Sequence, residues 1–256
     1  MEVRLLNVEY PDDPYLSLAT EEAVFASVIR EESPPTFRFY RHSNAVILGC
    51  FQLAEQEVDM DVARDNKIDV VKRFTAGGAV YHDLGDLNYS FITKDNYGVN
   101  LDVIKLYSTM ITGALNAFKS LGIPAESGHL NDVTANGKKI LGAAATIRSN
   151  TLLFHAAVLV NTNLMMLASV LKVPGEKLKD KGIKTILDRV TNIRDISGSG
   201  MEDVKRALLD SYAETLGLEF KEAGLTGKEA ALARELKERK YSKAEWNRGR
   251  EIINIF

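Results

Sequence analysis

Thiol chemistry has almost no material in this chain, because one cysteine, Cys50, stands among 256 residues. No intrachain disulfide can form, a thiolate-built metal centre is excluded, and the pattern fits a reducing compartment. An excess of charge of one sign is missing as well. The 32 basic and 35 acidic side chains leave a formal −3, which gives no bulk attraction to DNA, RNA or anionic lipid. Long apolar runs are also absent: no stretch approaches the length that crosses a bilayer, and MEVRLLNVEYPDDPYLS carries acids where a signal peptide has its apolar core. The expectation is a soluble cytoplasmic protein with neither a nucleic-acid nor a membrane partner. The length is enough to bury a core without covalent staples.

What is present alternates clustered strands with helices. MEVRLLNVEY reads as an opening strand closed by PDDP, and Leu18, Phe25 and Ile29 mark one stripe of a helix from Leu16 to Arg30 that Ser33, Pro34 and Pro35 end. Thr36 to Arg41 and Ala45 to Leu48 read as a hairpin around His42, Ser43 and Asn44. A polar helix near Val58 to Asn66 and a strand from Asp69 to Arg73 follow. Ala79 to His82 and Asn88 to Thr93 read as strands around the turn Asp83 to Asp86. Ile104, Tyr107, Ile111, Leu115, Phe118 and Leu121 make a long amphipathic helix, with Asn100 as its expected cap and Gly122 and Pro124 as its stop.

Asn136-Gly137 is a strong hairpin signal, since both central positions of a type I′ turn need positive φ; it joins Asp132–Ala135 to Lys138–Arg148. A turn at Ser149-Asn150 leads into Thr151 to Asn161. Helices are expected over Leu164 to Leu171, Met201 to Leu216 and Lys228 to Arg239, around a basic loop from Lys177 to Arg194. No repeat, low-complexity stretch or long linker appears. The pattern predicts an α+β fold with mixed, largely antiparallel sheets flanked by helices, as one domain over residues 1–256.

Three constellations offer chemistry. Arg73, Gly77, Gly78, Ala79, Val80 and Tyr81 stand at a strand end where small residues let backbone N–H groups approach an anion and a guanidinium can grip it twice. On spacing alone a bulge or turn is the commoner use of two glycines, and the lysine and hydroxyl of a Walker loop are missing. Asn131 and Asp132, then Lys138, Lys139, Gly142 and Ala143, form the second group. Side chains alternate along a strand, so Lys139, with Leu141 on its side, is the one expected to face inward, where its ammonium would meet a carboxylate or phosphoryl oxygen. A solvated hairpin with two surface lysines is the plain alternative. The third group is His82, Asp83 and His155. His82 is open to acid–base work or to orienting the loop, while His155, in LLFHAAV, reads as a core histidine; no spacing suits zinc, and the sequence names no metal ligand. Cys50 follows an apolar strand without a basic neighbour in sequence and reads as an inert buried thiol.

Four ordered segments, RFYRHSNAVILGCFQ, KRFTAGGAVYHDLGDLNYSF, LNDVTANGKKILGAAATIR and KGIKTILDRVTNI, resemble the catalytic domain of lipoate protein ligases in the biotin/lipoate A/B protein ligase family, and the resemblance runs through nearly the whole chain. It implies activation of lipoate by ATP with Mg2+ to lipoyl-AMP, followed by transfer to a lysine of a lipoyl-carrier domain such as a 2-oxoacid dehydrogenase E2 or a glycine cleavage H protein. By motif position, Lys139 would bridge carbonyl and phosphate oxygens. Arg73 would contact the adenylate or lipoyl carbonyl, and Gly77, Gly78, Ala79, Val80 and Tyr81 would line the pocket. Gly142 and Ala143 would leave room for the ligand; His82, Asp83, Asn131 and Asp132 would shape the site, with His155 in support.

Two departures stand out. Ala76 replaces the first of the family's three glycines, which would restrict the loop or change the acyl group admitted. KYSKAEWNRGR resembles the end of the catalytic domain, so the accessory C-terminal domain of larger members is expected to be absent and supplied by a separate protein, as in short archaeal-type ligases. Three other readings compete. An octanoyltransferase of the same fold would need a downstream cysteine that this chain lacks, though a ligase accepting octanoate remains open. A noncatalytic acyl-adenylate-binding subunit would be free to lose Lys139. A biotin ligase would show an Arg- and Gly-rich loop where KRFTAGGAVYHD stands.

Overall fold

The computed structural model describes residues 1–94, 102–129, 131–173 and 179–249. In chain order the elements are β1 (Glu2–Leu6), α1 (Pro14–Ile29), β2 (Thr36–Tyr40), β3 (Asn44–Leu48), α2 (Ala54–Glu57), α3 (Met60–Asp65), β4 (Asp69–Lys72), β5 (Val80–Asp83), β6 (Asp86–Lys94) and α4 (Val103–Ser120). Then come β7 (Ala125–Ser127), β8 (Asp132–Ala135), β9 (Lys138–Arg148), β10 (Thr151–Leu159), α5 (Leu164–Val170), α6 (Lys179–Leu187), α7 (Ile193–Ser197), α8 (Met201–Leu216), β11 (Glu219–Glu222), α9 (Gly227–Leu236), a π-helical turn (Lys237–Tyr241) and α10 (Ala244–Arg248). None of the described helices is long and apolar enough to cross a membrane.

The strands form two sheets in an α+β arrangement. The larger has eight strands in the order β11-β1-β2-β6-β10-β9-β8-β7, and the smaller has three, β4-β3-β5. Pairing is antiparallel from β2 to β7, parallel where β1 meets β2 and β11, and parallel again between β3 and β4, so both sheets are mixed. Both turns around β9 are two-residue left-handed turns, with φ of 51° and 74° at Asn136 and Gly137 and of 49° and 57° at Ser149 and Asn150.

One face of the large sheet carries Phe37, Tyr89, Phe91 and Phe154 against Met110 and Phe118 of α4 and Tyr212 of α8. Tyr212 donates to Met110 O at 2.8 Å, so its oxygen accepts from Tyr89, also at 2.8 Å, and both buried hydroxyls are satisfied. The opposite face is covered by α1, which packs Val24, Phe25 and Val28 on Ile92 and Leu153. Asp13 caps α1 by accepting from Leu16 N, and Pro14 occupies the first turn, where its missing N–H is harmless. α9 lies against α1 and is tied to β1 by a buried bidentate pair, Arg4 to Glu229 at 2.6 and 2.8 Å.

Several sequence expectations are corrected here. Residues 36–41 and 45–48 do not form a hairpin: β2 pairs in the large sheet and β3 in the small one, because Ser43 anchors on Pro11 O through both N and Oγ and the chain crosses between layers. The turn at Asp83 likewise joins strands of different sheets. Gly85 packs there so tightly that a Cβ would stand 2.0 Å from Asn161 O. Asn100 lies outside the described residues, and Asp102 caps α4 by accepting from Ile104 N and Lys105 N. The expected basic loop holds α6 and the start of α7, because Ile186 finds an apolar partner surface beside α5; Lys177 and Leu178 lie outside the described residues. Edge strands β7 and β11 and helix α10 carry too few residues for a period to show.

Removing one partner of a buried ion pair strands the other charge. Glu229→Ala should therefore cost about 3–5 kcal/mol of folding stability, read as a lower urea midpoint at unchanged slope; a loss below about 1 kcal/mol would show that Arg4 and Glu229 are not coupled as described.

Candidate active site

Between the small sheet and the uncovered part of the large one lie two adjoining cavities, of about 120 Å³ and about 830 Å³. Gly78, Ala79, Val80, Lys139, Gly142 and Ala157 line both, so the opening between them is framed by the loop before β5 and by β9. The smaller cavity is floored by alanines of two paired strands, Ala143 and Ala144 of β9 and Ala156 and Ala157 of β10, and closed by Leu18 of α1 and Ile47 of β3. Small side chains on neighbouring strands leave a slot suited to an aliphatic chain.

The loop from Arg73 to Ala79 owes its shape to two close approaches. Gly77 has φ of +114°, and a Cβ at Gly49 would stand 2.1 Å from Gly77 O. Arg73, 6% exposed, lies beneath the loop and donates to Ala76 O at 2.9 Å, Gly78 O at 3.0 Å and Thr75 Oγ1 at 3.0 Å. Its guanidinium thus organises the loop carbonyls and turns their N–H sides the other way. Burial lowers its pKa, with Tyr40 and Glu21 opposing.

A polar chain continues from Arg73. Thr75 Oγ1 is 3.0 Å from His155 Nε2, and His155 Nδ1 is 3.0 Å from Glu21 Oε2. Arg73 Nε donates to Thr75, and His155 bridges Thr75 to Glu21. Tyr40 donates to the other oxygen of Glu21 at 3.2 Å. Burial pushes the Glu21 pKa up, but His155, by charge and hydrogen bond, and then Arg38 and Tyr40 outweigh it, and the net shift is downward.

Lys139 rises from β9 toward the cavities, 39% exposed, with Nζ 2.7 Å from Asp132 Oδ1 in an ion pair whose angle does not make a hydrogen bond. Its side chain lies over Gly142, where any Cβ would stand 2.7 Å from both Cε and Nζ. A bulge between Val133 and Thr134 sets Asp132 opposite Gly142 and Thr134 opposite Lys139. Asn131 fixes this corner through Nδ2 to Ala143 O at 2.9 Å and its carbonyl to Ala143 N at 2.8 Å. On the other edge, Lys139 N donates to Arg189 O and Thr191 N to Lys139 O, which ties the segment after α6 to the lysine's own backbone. Lys138 points away and donates to Leu187 O at 3.2 Å.

His82 and His155 are both buried, and each directs both ring nitrogens at protein groups. His82 Nδ1 is 3.0 Å from His42 Nδ1, the rings stack, and Nε2 is 3.7 Å from Asp86 Oδ1. Burial and then Arg38 push the His42 pKa down to about 3, and burial with His42 holds His82 well below its usual value, so both rings are uncharged. Asp83 stands outside both cavities and braces the corner by accepting from Gly85 N and Asn163 N, each at 2.8 Å. Tyr81 lines the larger cavity and donates to Asn44 Oδ1 at 3.2 Å. Ala76 is exposed and off both cavity walls, so its methyl does not narrow the alanine-floored slot. Cys50 sits just past β3 with its N–H on Thr75 O at 2.9 Å; burial raises its pKa and it is no nucleophile.

Sequence reading missed Glu21, Tyr40, Thr75 and Asp86. One signal was available for Glu21, which falls on the same helical stripe as Leu18 and Phe25 and is therefore an acid on a buried face. Asp86 was read as a turn residue only.

Residues 13–213 match the family of the lipoyl protein ligase A/B catalytic domain. A curated relative, lipoate-protein ligase A subunit 1 of Thermoplasma acidophilum, is 44% identical over 97% of each chain. Among solved structures, a bipartite lipoate protein ligase described with its E2 lipoyl domain, also from T. acidophilum, superposes with a TM-score of 0.92 at 43% identity over 100% of both chains. A lipoate-protein ligase A bound with ATP superposes with a TM-score of 0.89 at 40% identity, over 98% of this chain and 100% of that one.

The approach of Gly49 to Gly77 has a direct test. Gly49→Ala must push the loop off β3 and should lower stability by about 1–3 kcal/mol while exposing the loop to proteolysis; a variant with wild-type melting and cleavage would show that the two backbones are not in contact.

Proposed function

Because the chain belongs to the lipoyl protein ligase A/B catalytic-domain family, we propose that it activates lipoate with ATP to lipoyl-AMP and passes the lipoyl group to a lysine of a lipoyl-carrier domain. The observation that carries this reading is the Lys139 ammonium on the wall common to the alanine-floored slot and the larger cavity. The slot takes the acyl chain, the larger cavity takes the nucleotide, and the reacting carboxyl lies at the opening between them. Two anions must meet there, the acyl carboxylate and the α-phosphate. Lys139 offsets their repulsion and then the charge that builds as pyrophosphate leaves, which is preorganised electrostatic work. Arg73 contributes by holding Ala76 O and Gly78 O, which turns the N–H groups of the same peptide units, on Gly77 and Ala79, toward the ligand, and Asn131 and Asp132 keep Lys139 over Gly142.

Magnesium is implied by the family. Among the described residues no group of three His, Cys, Asp or Glu is placed to cage a metal ion, while the Asp132 carboxylate on the cavity wall is a hard oxygen donor of the kind that shares Mg2+ with substrate phosphates and water. Asp132 would hold the ion, which supplies charge neutralisation to the phosphates when bound.

Working as a single catalytic domain in the cytoplasm, the chain acts with a separate accessory protein, as the subunit and bipartite descriptions of its T. acidophilum relatives suggest. Its acceptor is an E2 lipoyl domain or a similar carrier. A thioester route of the octanoyltransferase kind is disfavoured, because the one cysteine carries a raised pKa and lies behind the glycine loop.

Lys139→Ala should lower lipoate-dependent exchange of pyrophosphate into ATP, and transfer from supplied lipoyl-AMP, by about 10²–10³-fold with the melting curve unchanged. Near-normal turnover would remove Lys139 from the chemistry. If the wild-type chain, assayed with and without a candidate accessory protein, shows neither exchange nor transfer, the ligase reading falls.

A further inference from the structure

β4 is the outer strand of the small sheet, and among the described residues no strand pairs with its far edge. Successive residues of a strand turn their peptide groups to opposite sides. Arg73 N therefore reaches β3, at 2.8 Å from Leu48 O, while the N–H and C=O of Lys72 face the open edge, where such groups are left unpaired unless something covers them. Side chains of α10 take the place of the missing strand. Lys72 N donates to Asn247 Oδ1 at 2.9 Å, and Trp246 Nε1 donates to Lys72 O at 2.7 Å. The Lys72 ammonium, on a side chain 1% exposed, donates to Gly249 O at 2.7 Å, so all three polar groups of that residue go to the segment 246–249.

The peptide unit clamped in this way is the one that carries Arg73. Its carbonyl is held by Trp246 on one side and its N–H by Leu48 O on the other, which fixes the point from which the guanidinium enters the loop. The clamp is itself braced. Asn247 Nδ2 donates to Tyr241 O at 2.7 Å and to Lys243 O at 3.1 Å, which sets the way its amide faces. The buried Lys240 ammonium stands 4.2 Å over the Trp246 ring and donates to both oxygens of Glu22, at 2.8 and 2.9 Å, and Tyr241 donates to Glu22 as well. Glu22 follows Glu21 on α1, and Glu21 meets His155 and through it Thr75 of the loop.

Trp246 and Asn247 line neither cavity. Building on the ligase reading above, we propose that they are positioning residues, which hold the Lys72–Arg73 peptide so that Arg73 presents the loop N–H groups to the acyl-adenylate. They act only through Arg73. Its bonds to Ala76 O and Gly78 O are 2.9 and 3.0 Å long, and hydrogen bonds weaken steeply as they lose alignment, so a small shift of its backbone loosens the loop. A role confined to packing calls for the ring of Trp246. The positioning role calls for its N–H.

That N–H can be removed by itself. Trp246 is the single tryptophan of the chain, so growth on the benzothiophene analogue of tryptophan, with sulfur in place of the indole nitrogen, alters one position and keeps the ring; Trp246→Phe is the genetic counterpart. Assayed with lipoyl-AMP and an E2-type lipoyl domain, either protein should show a KM for lipoyl-AMP raised about 5–10-fold, with kcat within about twofold of wild type. In the free protein the amides of residues 74–79 should exchange with solvent about 5–10-fold faster. In an Arg73→Met background, which keeps the stem and deletes the guanidinium, the same replacement should change KM by less than about twofold. A fall in kcat at unchanged KM, which marks a partly unfolded population, would overturn the positioning role, as would an additive loss in the Arg73→Met background or loop exchange equal to wild type. Failure of the wild-type chain to bind lipoyl-AMP would instead sink the ligase reading, and exchange in the free protein would still decide whether Trp246 holds the loop.

Discussion

The site depends on one buried guanidinium whose donors are spent on carbonyl oxygens. Arg73 leaves the end of β4, lies under the loop that crosses to β5, and holds Ala76 O and Gly78 O while Thr75 shares its Nε. A loop with adjacent glycines has many conformations in isolation. Bonding its carbonyls on one side selects the conformation that offers N–H groups to the other, and the contact of Gly49 with Gly77 leaves no room for alternatives. The chain of Thr75, His155 and Glu21 then fixes the loop to α1 and β10, so the small sheet, the large sheet and the helix between them share one polar seam.

That seam assigns the electrostatic roles by elimination. Two histidines line the smaller cavity, yet three of their four ring nitrogens meet Glu21, Thr75 and His42, and burial keeps His42 and His82 uncharged. In the proposed reaction the mobile charge falls to Lys139, whose stem rests on Gly142 and whose backbone is clamped by Arg189 and Thr191. A flexible side chain on a rigid strand can follow charge as it shifts from carboxylate to phosphate. A half-exposed lysine paired with Asp132 suits that task better than one locked in a buried pair.

Much of the fold was legible in the sequence where local chemistry decides structure. Asn136-Gly137 and Ser149-Asn150 turned as expected because their residues tolerate left-handed φ, and α8 runs over the expected Met201 to Leu216 because its apolar stripe repeats for four turns. Alternation along β9 correctly separated Lys139 from Lys138. Misreadings arose where adjacency in sequence was taken for adjacency in a sheet. Residues 42–44 and 83–86 read as turns between neighbouring strands, but each carries the chain from one sheet to the other, as the contacts with Pro11 and Asn161 show.

Residue order alone was enough for the mixed α+β architecture, the ordered motifs that mark the family, and the small residues that leave room beside Lys139. These are properties of short windows, in which turn chemistry, side-chain period and residue size act without reference to distant parts of the chain. Folding in three dimensions was needed to show that Arg73 faces the loop carbonyls, that Glu21 reaches His155 across 134 positions, and that Asp86 is buried beside His82. The reason is physical: which polar groups find one another inside a protein depends on which layers pack together, and burial, not local preference, sets the cost of leaving any of them unpaired.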